Sequence, residues 1–204
     1  MVKGIIFDMD GVLVETEPFY HNQRLEFLRR MDYIPASTVH LVGSNEPEIW
    51  AALVPDPLLR QELLMGYHAF RHLHPTPYDE LLNPYVIELL TQLRQLGIKT
   101  GIASSSVRES VILMLKRTGI GEYIDYFISG EDCTAYKPNP EVYQKALAAL
   151  DLSPDEAFAV EDSAPGIAAA KNAGMKVYAL HNPNLDQSGA TSVVKTLDEL
   201  LSYL

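Results

Sequence analysis

From Asn83 to Leu180 short apolar runs alternate with helix-length segments, and this rhythm limits the fold more than any other property of the chain. The helical pattern from about Pro84 to Leu96 stops at Gly97, and Lys99 to Ala103 reads as a strand. A second helix from about Val107 to Arg117 ends near Gly119, and Tyr126 to Ile128 reads as a short strand. Asn139-Pro140 opens another helix with a cap residue and a proline in the first turn, where the missing N–H costs nothing. Ser153-Pro154-Asp155-Glu156 has the form of a capping box and leads into a strand over Ala157 to Val160. Pro165 to Asn172 is a further helix closed by Gly174, and Lys176 to Leu180 is the next strand. Strands joined through helices of this length make right-handed crossovers. The expected core is therefore α/β, a Rossmann-like doubly wound parallel sheet covered on both faces.

One strand precedes this region. Ile5-Ile6-Phe7 is a continuous apolar run, as strands buried on both faces are, and it ends in Asp8-Met9-Asp10-Gly11. The stretch from about Thr16 to Tyr78 has no alternating strand pattern. Leu25 and Leu28, and then Leu58, Leu59, Leu63 and Tyr67, recur at helical spacing. Pro35, Pro47, Pro55, Pro57, Pro75 and Pro77 are read as breaks that cut this stretch into short helices. The expected organisation is a core of residues 1–15 and 82–204 with a small all-helical cap, residues 16–81, inserted after the first strand. Such an insert would stand over the carboxyl edge of the sheet, where open α/β sheets bind ligands.

Composition removes several function classes. A formal net charge of −11 argues against a nucleic-acid partner, because phosphate backbones reward basic surfaces. A small phosphate ester stays open to a chain whose site carries its own cations. No apolar stretch approaches the ~20 residues that cross a bilayer, so no membrane partner is expected. No signal peptide is expected at the N-terminus. The single cysteine, Cys133, cannot form an internal disulfide, which fits a cytoplasmic protein. Nothing in the sequence demands a second subunit, and a monomer is expected.

The chemistry lies at the carboxyl ends of the strands. Asp8 and Asp10 follow the first, and residues two apart on an extended chain project to one side. Like charges held together call for a cation or a proton between them. Ser104-Ser105-Ser106 follow the strand ending at Ala103, Lys137-Pro138 lie in the loop after the next, and Glu161-Asp162 close the one after. A nucleophile, a hydroxyl, a fixed cation and a second acidic pair on one edge are the parts for phosphoryl transfer. Magnesium suits oxygen ligands of this kind. Of the serines, Ser106 with Glu109 spells a capping box and Ser105 could serve the same helix start, which leaves Ser104 to face a phosphate. Lys137 has a bland alternative as a surface lysine. His68 and His72 stand four apart as zinc pairs do, but no cysteine is near and a metal site is not expected there.

The order Asp-x-Asp-Gly, Ser, Lys-Pro, Glu-Asp, with an insert after the first strand, closely resembles the haloacid dehalogenase superfamily. Within it the chain is similar to the branch that holds β-phosphoglucomutase and small-metabolite phosphatases with helical caps. The resemblance implies that Asp8 is the nucleophile that becomes an aspartyl phosphate and that Asp10 is the general acid and base. It implies Mg2+ held by the Asp8 side chain, the Asp10 backbone carbonyl and Asp162. Glu161 is its partner in that motif and either binds the metal or orients the site. Ser104 and Lys137 match the groups that hold the transferring phosphoryl.

The departures matter too. Past Val42-Gly43, where β-phosphoglucomutase has a phosphate-gripping arginine, the aligned residue is Glu46; Tyr20, with His21 beside it, and Leu63 stand where it has other cationic groups. An acidic residue there would repel a second phosphate. The expected activity is thus a magnesium-dependent phosphatase of a small phosphorylated metabolite, in the first place a sugar phosphate. A phosphoglucomutase-type isomerase comes second, and a non-enzymatic phospho-aspartate switch of the receiver type is the alternative from another class.

Overall fold

In chain order the elements are β1 (Gly4–Phe7), α1 (Glu17–Arg30), α2 (Glu46–Leu53), α3 (Pro57–Leu73), α4 (Val86–Gln95), β2 (Lys99–Ala103), α5 (Arg108–Thr118), β3 (Tyr126–Ile128), α6 (Glu141–Leu150), β4 (Ala157–Glu161), α7 (Ala164–Asn172), β5 (Lys176–Leu180) and β6 (Ser192–Val194). Short 3-10 turns cover Ile120–Tyr123, Gly130–Asp132 and Leu197–Tyr203. This computed structural model describes residues 1–38 and 46–204. They divide into two units, Met1–Glu15 with Tyr78–Leu204, and Thr16–Pro77. The Val42-Gly43 step used to align the insert lies outside the described residues.

The first unit is built on a six-stranded sheet in the order β3-β2-β1-β4-β5-β6, and every neighbouring pair is parallel. Its two faces follow from the two-residue period of a strand. Ile5, Phe7, Ile102, Phe158, Val160 and Tyr178 fall on one face, where Leu89, Leu90 and Leu93 of α4 and Val111 and Met114 of α5 cover them. Ile6, Ala103, Ala157, Ala159, Val177 and Ala179 fall on the other, under Val142, Tyr143 and Leu147 of α6 and Ile167 and Ala170 of α7. The fold is thus the doubly wound α/β sandwich that the rhythm of the sequence implied. Gly97, Gly119 and Gly174 take positive φ just past α4, α5 and α7. A side chain is strained there, which is why those helices stop where they do.

The second unit packs α1, α2 and α3 around Phe27, Leu28, Ile49, Trp50, Leu53, Leu63 and Tyr67. The prolines separate the helices as the sequence implies, with Pro35 between α1 and α2, Pro55 between α2 and α3, and Pro75 and Pro77 after α3, but the helices are not all short. α1 runs 14 residues and α3 runs 17. Pro18, Pro47 and Pro57 stand in the first turns of their helices, where a proline removes no intrahelical bond. Asp56 Oδ1 completes the start of α3 by accepting from the N–H groups of Leu58 and Leu59, both at 2.9 Å. Tyr67 donates to Gln23 Oε1 at 3.1 Å, and Gln23 Nε2 donates to the His74 carbonyl at 3.0 Å, tying α1 to the end of α3. His68 and His72 are exposed on α3 and enter no cluster of three metal-ligating side chains among the described residues.

Candidate active site

The order of the sheet places the site. From β1 the chain winds outward to β2 and β3, then returns to the other side of β1 and continues through β4, β5 and β6. That reversal leaves a crevice at the carboxyl ends of β1 and β4, where no helix crosses. Phe7 is in register with Val160, so Asp8 and Glu161, the next residue on each strand, come side by side. The Asp8 N–H donates to the Val160 carbonyl at 2.9 Å, which holds the backbone in line one residue beyond the strand. Asp162 follows, and carboxylate oxygens of Asp8, Glu161 and Asp162 all lie within 4.8 Å of one another.

Lys137 comes in from the loop before α6 and is the cation for this cluster. Its Nζ donates to Asp8 Oδ1 and to Glu161 Oε1, both at 2.6 Å, and to the Ala103 carbonyl at the end of β2 at 2.9 Å. Its side chain is only 7% exposed, so the surface-lysine reading does not hold. Burial opposes its charge, but Asp8 and Glu161 more than offset that and keep the ammonium protonated. Burial pushes the Asp8 carboxyl up to about 7; Lys137 pulls it down, and the charges of Glu161 and Asp10 add to the rise.

Two glycines let the acids approach the backbone. Gly11 has φ +83°, and a Cβ on it would stand 2.2 Å from Asp162 Oδ2. A Cβ on Gly166, in the first turn of α7, would meet Glu161 Oε1 at 2.0 Å. Neither position tolerates a side chain while these carboxylates stay where they are.

Asp10 is positioned differently from the expectation of strand alternation. The extended strand ends at Phe7, and Asp10 sits in a turn closed by the Met9 carbonyl, which accepts from Leu13 and Val14. Its carboxylate accepts from the Ser106 hydroxyl at 2.7 Å. This corrects the reading of Ser106 with Glu109 as a capping box. Helix α5 begins at Arg108, its cap residue is Val107 without a side-chain bond, and the Arg108 N–H goes to Glu131 at 2.8 Å. Ser104 lies directly beyond β2 and is 1% exposed; its Oγ accepts from the Ser106 N–H at 3.0 Å.

The structure therefore brings Asp8, Lys137, Glu161 and Asp162 into one cluster, and Ser106 links Asp10 to the loop that carries Ser104. Sequence reasoning missed three contributors. Ser106 reads from the sequence as a helix cap, and nothing in the sequence singles out Gly166 or Tyr143. The phenol of Tyr143 donates to Glu161 Oε1 at 2.7 Å.

The motif order and this geometry meet in one family. A family description of haloacid dehalogenase-like hydrolases matches residues 5–180. The chain belongs to that family. It is 31% identical over 189 residues to the pyrophosphatase PpaX of Bacillus thuringiensis (strain Al Hakam), covering 88% of this chain and 83% of that one. Among solved structures, β-phosphoglucomutase from Clostridium difficile is similar with a TM-score of 0.78 and 23% identity, over 100% of this chain and 95% of that one. CbbY from Rhodobacter sphaeroides, in complex with xylulose-(1,5)-bisphosphate, gives a TM-score of 0.77 at 24% identity, over 98% and 96%. At those identities the two structures speak for the fold. No helix among the described residues is long and apolar enough to cross a membrane.

Proposed function

We propose that the protein is a magnesium-dependent phosphatase that hydrolyses a small phosphorylated metabolite, in the first instance a sugar phosphate, through an aspartyl phosphate on Asp8. It is an enzyme of the haloacid dehalogenase-like hydrolases, and a phosphatase activity follows from that membership. The observation that carries the finer reading is the buried pair of Asp8 and Lys137, a carboxylate held at 2.6 Å from an ammonium. A carboxylate attacks phosphorus only if the phosphoryl charge beside it is compensated, and Lys137 is built in for that purpose.

In the proposed reaction an Asp8 oxygen forms a bond to phosphorus while the bond to the leaving oxygen breaks, and Asp10 gives that oxygen its proton. A water then attacks the phosphorus, Asp10 takes the proton back, and inorganic phosphate leaves Asp8. Ser106 holds the Asp10 carboxylate during this exchange. Ser104 and Lys137 would hold the phosphoryl oxygens. The residues present fit a magnesium ion: Asp8, Glu161 and Asp162 offer carboxylate oxygens within 4.8 Å of one another, ligands of the hard kind that the ion prefers. Asp8, Asp162 and the Asp10 carbonyl would hold the ion, which supplies positive charge against the phosphoryl oxygens. Both Glu161 oxygens already accept hydrogen bonds, Oε1 from Lys137 and Tyr143 and Oε2 from the Asp162 N–H and Ser163, which supports an orienting role for Glu161.

Isomerisation of a phosphosugar is the second reading, and one observation favours it. The Arg71 guanidinium lies 5.1 Å from the centre of the Tyr20 ring and 5.9 Å from that of Tyr67, so the insert carries a cation outside the aligned positions Glu46, Tyr20 and Leu63. The deciding experiment measures inorganic phosphate from a panel of phosphorylated metabolites with Mg2+, then with chelator. In parallel it follows conversion of β-glucose 1-phosphate to glucose 6-phosphate in the presence of glucose 1,6-bisphosphate. Steady phosphate release that chelator abolishes supports the phosphatase and excludes a receiver-type switch. Isomerisation faster than hydrolysis would put the mutase first, and full activity in chelator would overturn the metal assignment.

A further inference from the structure

We propose that Tyr143 is a positioning residue of the phosphoryl-transfer site, holding Glu161 so that Lys137 keeps its charge on Asp8. The proposal rests on the roles given above to Asp8 and Lys137. Tyr143 is fully buried on α6, in the row Val142, Tyr143, Ala146, Leu147 and Leu150 that packs against the sheet. Phenylalanine would fill that row as well, and a buried phenol is costly there unless its hydroxyl finds a partner. The partner is Glu161 Oε1 at 2.7 Å, the same oxygen that accepts from Lys137 Nζ at 2.6 Å. The Lys137 ammonium also lies 5.1 Å from the centre of the Tyr143 ring. Tyr143 thus touches both members of the Lys137–Glu161 pair.

The consequence is electrostatic. Lys137 divides its charge between Asp8 Oδ1 and Glu161 Oε1 at equal distances. The Tyr143 hydroxyl, by donating to Oε1, takes up part of the Glu161 charge and weakens its claim on the ammonium. The same hydrogen bond fixes the Glu161 carboxylate, which has the α7 backbone at Gly166 on its other side. Without the hydroxyl, the pair in this dry site closes on itself, and less positive charge faces the phosphoryl group. The loss falls on the transition state, where charge develops, rather than on substrate binding.

Tyr143→Phe keeps the ring and its contact with Lys137 and removes only the hydroxyl. It should lower kcat about tenfold, the equivalent of one charge-assisted hydrogen bond, with KM and the Mg2+ half-saturation changed by less than about twofold. Glu161→Gln should also lower kcat, and adding Tyr143→Phe to it should change little further, because the carboxylate through which Tyr143 acts is gone. Full kcat in Tyr143→Phe overturns the proposal. So does a defect that saturating Mg2+ repairs, which would put Tyr143 on the metal side, and so do two effects that multiply independently. Phosphate release by Asp8→Asn would instead defeat the underlying assignment, whatever Tyr143→Phe does.

Discussion

The two units bury different interiors, and the contrast explains why one of them carries readable chemistry. In the sheet unit apolar side chains alternate between two faces, and the few buried polar groups near β1 and β4 are locked to one another: Lys137 to Asp8 and Glu161, Tyr143 to Glu161. In the helical unit aromatic rings meet one another among leucines and an isoleucine, with Trp50 5.2 Å from Tyr67 and Phe27 5.5 Å from Tyr67, centre to centre. There Trp50 Nε1 and Arg24 Nε are buried without a hydrogen-bond partner among the described residues, as Asp198 Oδ1 is in the sheet unit. A reaction centre needs its charges compensated in one geometry, and parallel strands in register supply that geometry repeatedly. A helical insert needs only enough apolar volume, which many sequences provide.

The largest test of this contrast is Asp8→Asn. An amide is a poor nucleophile, so phosphate release should fall by about four orders of magnitude or more, read in a steady-state assay. Stability should move the other way in the metal-free protein. The Asp8 carboxyl is raised from 3.8 to about 7, so its contribution to folding is fully present below 3.8 and is lost as pH rises through 7. Thermal melting in chelator should show Asp8→Asn gaining on the parent over that range, with a constant advantage above it. Equal melting temperatures at pH 5 and pH 8 would mean that the site stores no such penalty.

Next comes Trp50→Ala in the helical unit. Trp50 is fully buried, and truncating such a side chain costs about 3–5 kcal/mol. Hydrogen exchange should show protection lost across α1, α2 and α3 before it is lost in the sheet. Uniform loss in both units would show that they unfold as one and would break the comparison. Trp50 is the only tryptophan of the chain, so tryptophan emission of the parent protein, excited selectively, reports on this unit.

The smallest effect is expected at Asp132, at the start of the loop after β3. Its carboxylate accepts from Arg108 at 2.8 Å and from the Ser129 hydroxyl and N–H at 2.7 and 2.9 Å, and these hold it at about 2. Its stabilisation is present above the ordinary value of 3.8 and disappears as pH falls through about 2. Asp132→Asn should therefore cost ~1 kcal/mol or less at pH 7, since the pair is partly solvated. Denaturant melts at pH 7 and pH 2 should show that difference closing. A gap that persists at pH 2 would assign the loss to packing rather than to charge.

Sequence alone determined the sheet and the chemical edge, because both are written in local patterns. A strand between two helical layers must be apolar throughout, as Ile5-Ile6-Phe7 and Ala157 to Val160 are, and the residue that ends it must face the crevice. Asp8 and Asp162 could therefore be placed at that edge from the strand ends, and Lys137 only from its place in the motif order. β6 and the turn over Leu197–Tyr203 went unread, since three residues and a 3-10 turn carry too little periodicity. The prolines of the insert marked where its helices are separated, but not that α1 and α3 run to 14 and 17 residues. Tertiary structure alone decided that Ser106 serves Asp10 rather than α5, and that Tyr143 serves Glu161 rather than the apolar core. Those are bonds across 96 and 18 residues, made by hydroxyls whose nearest partners are chosen by where the strands end.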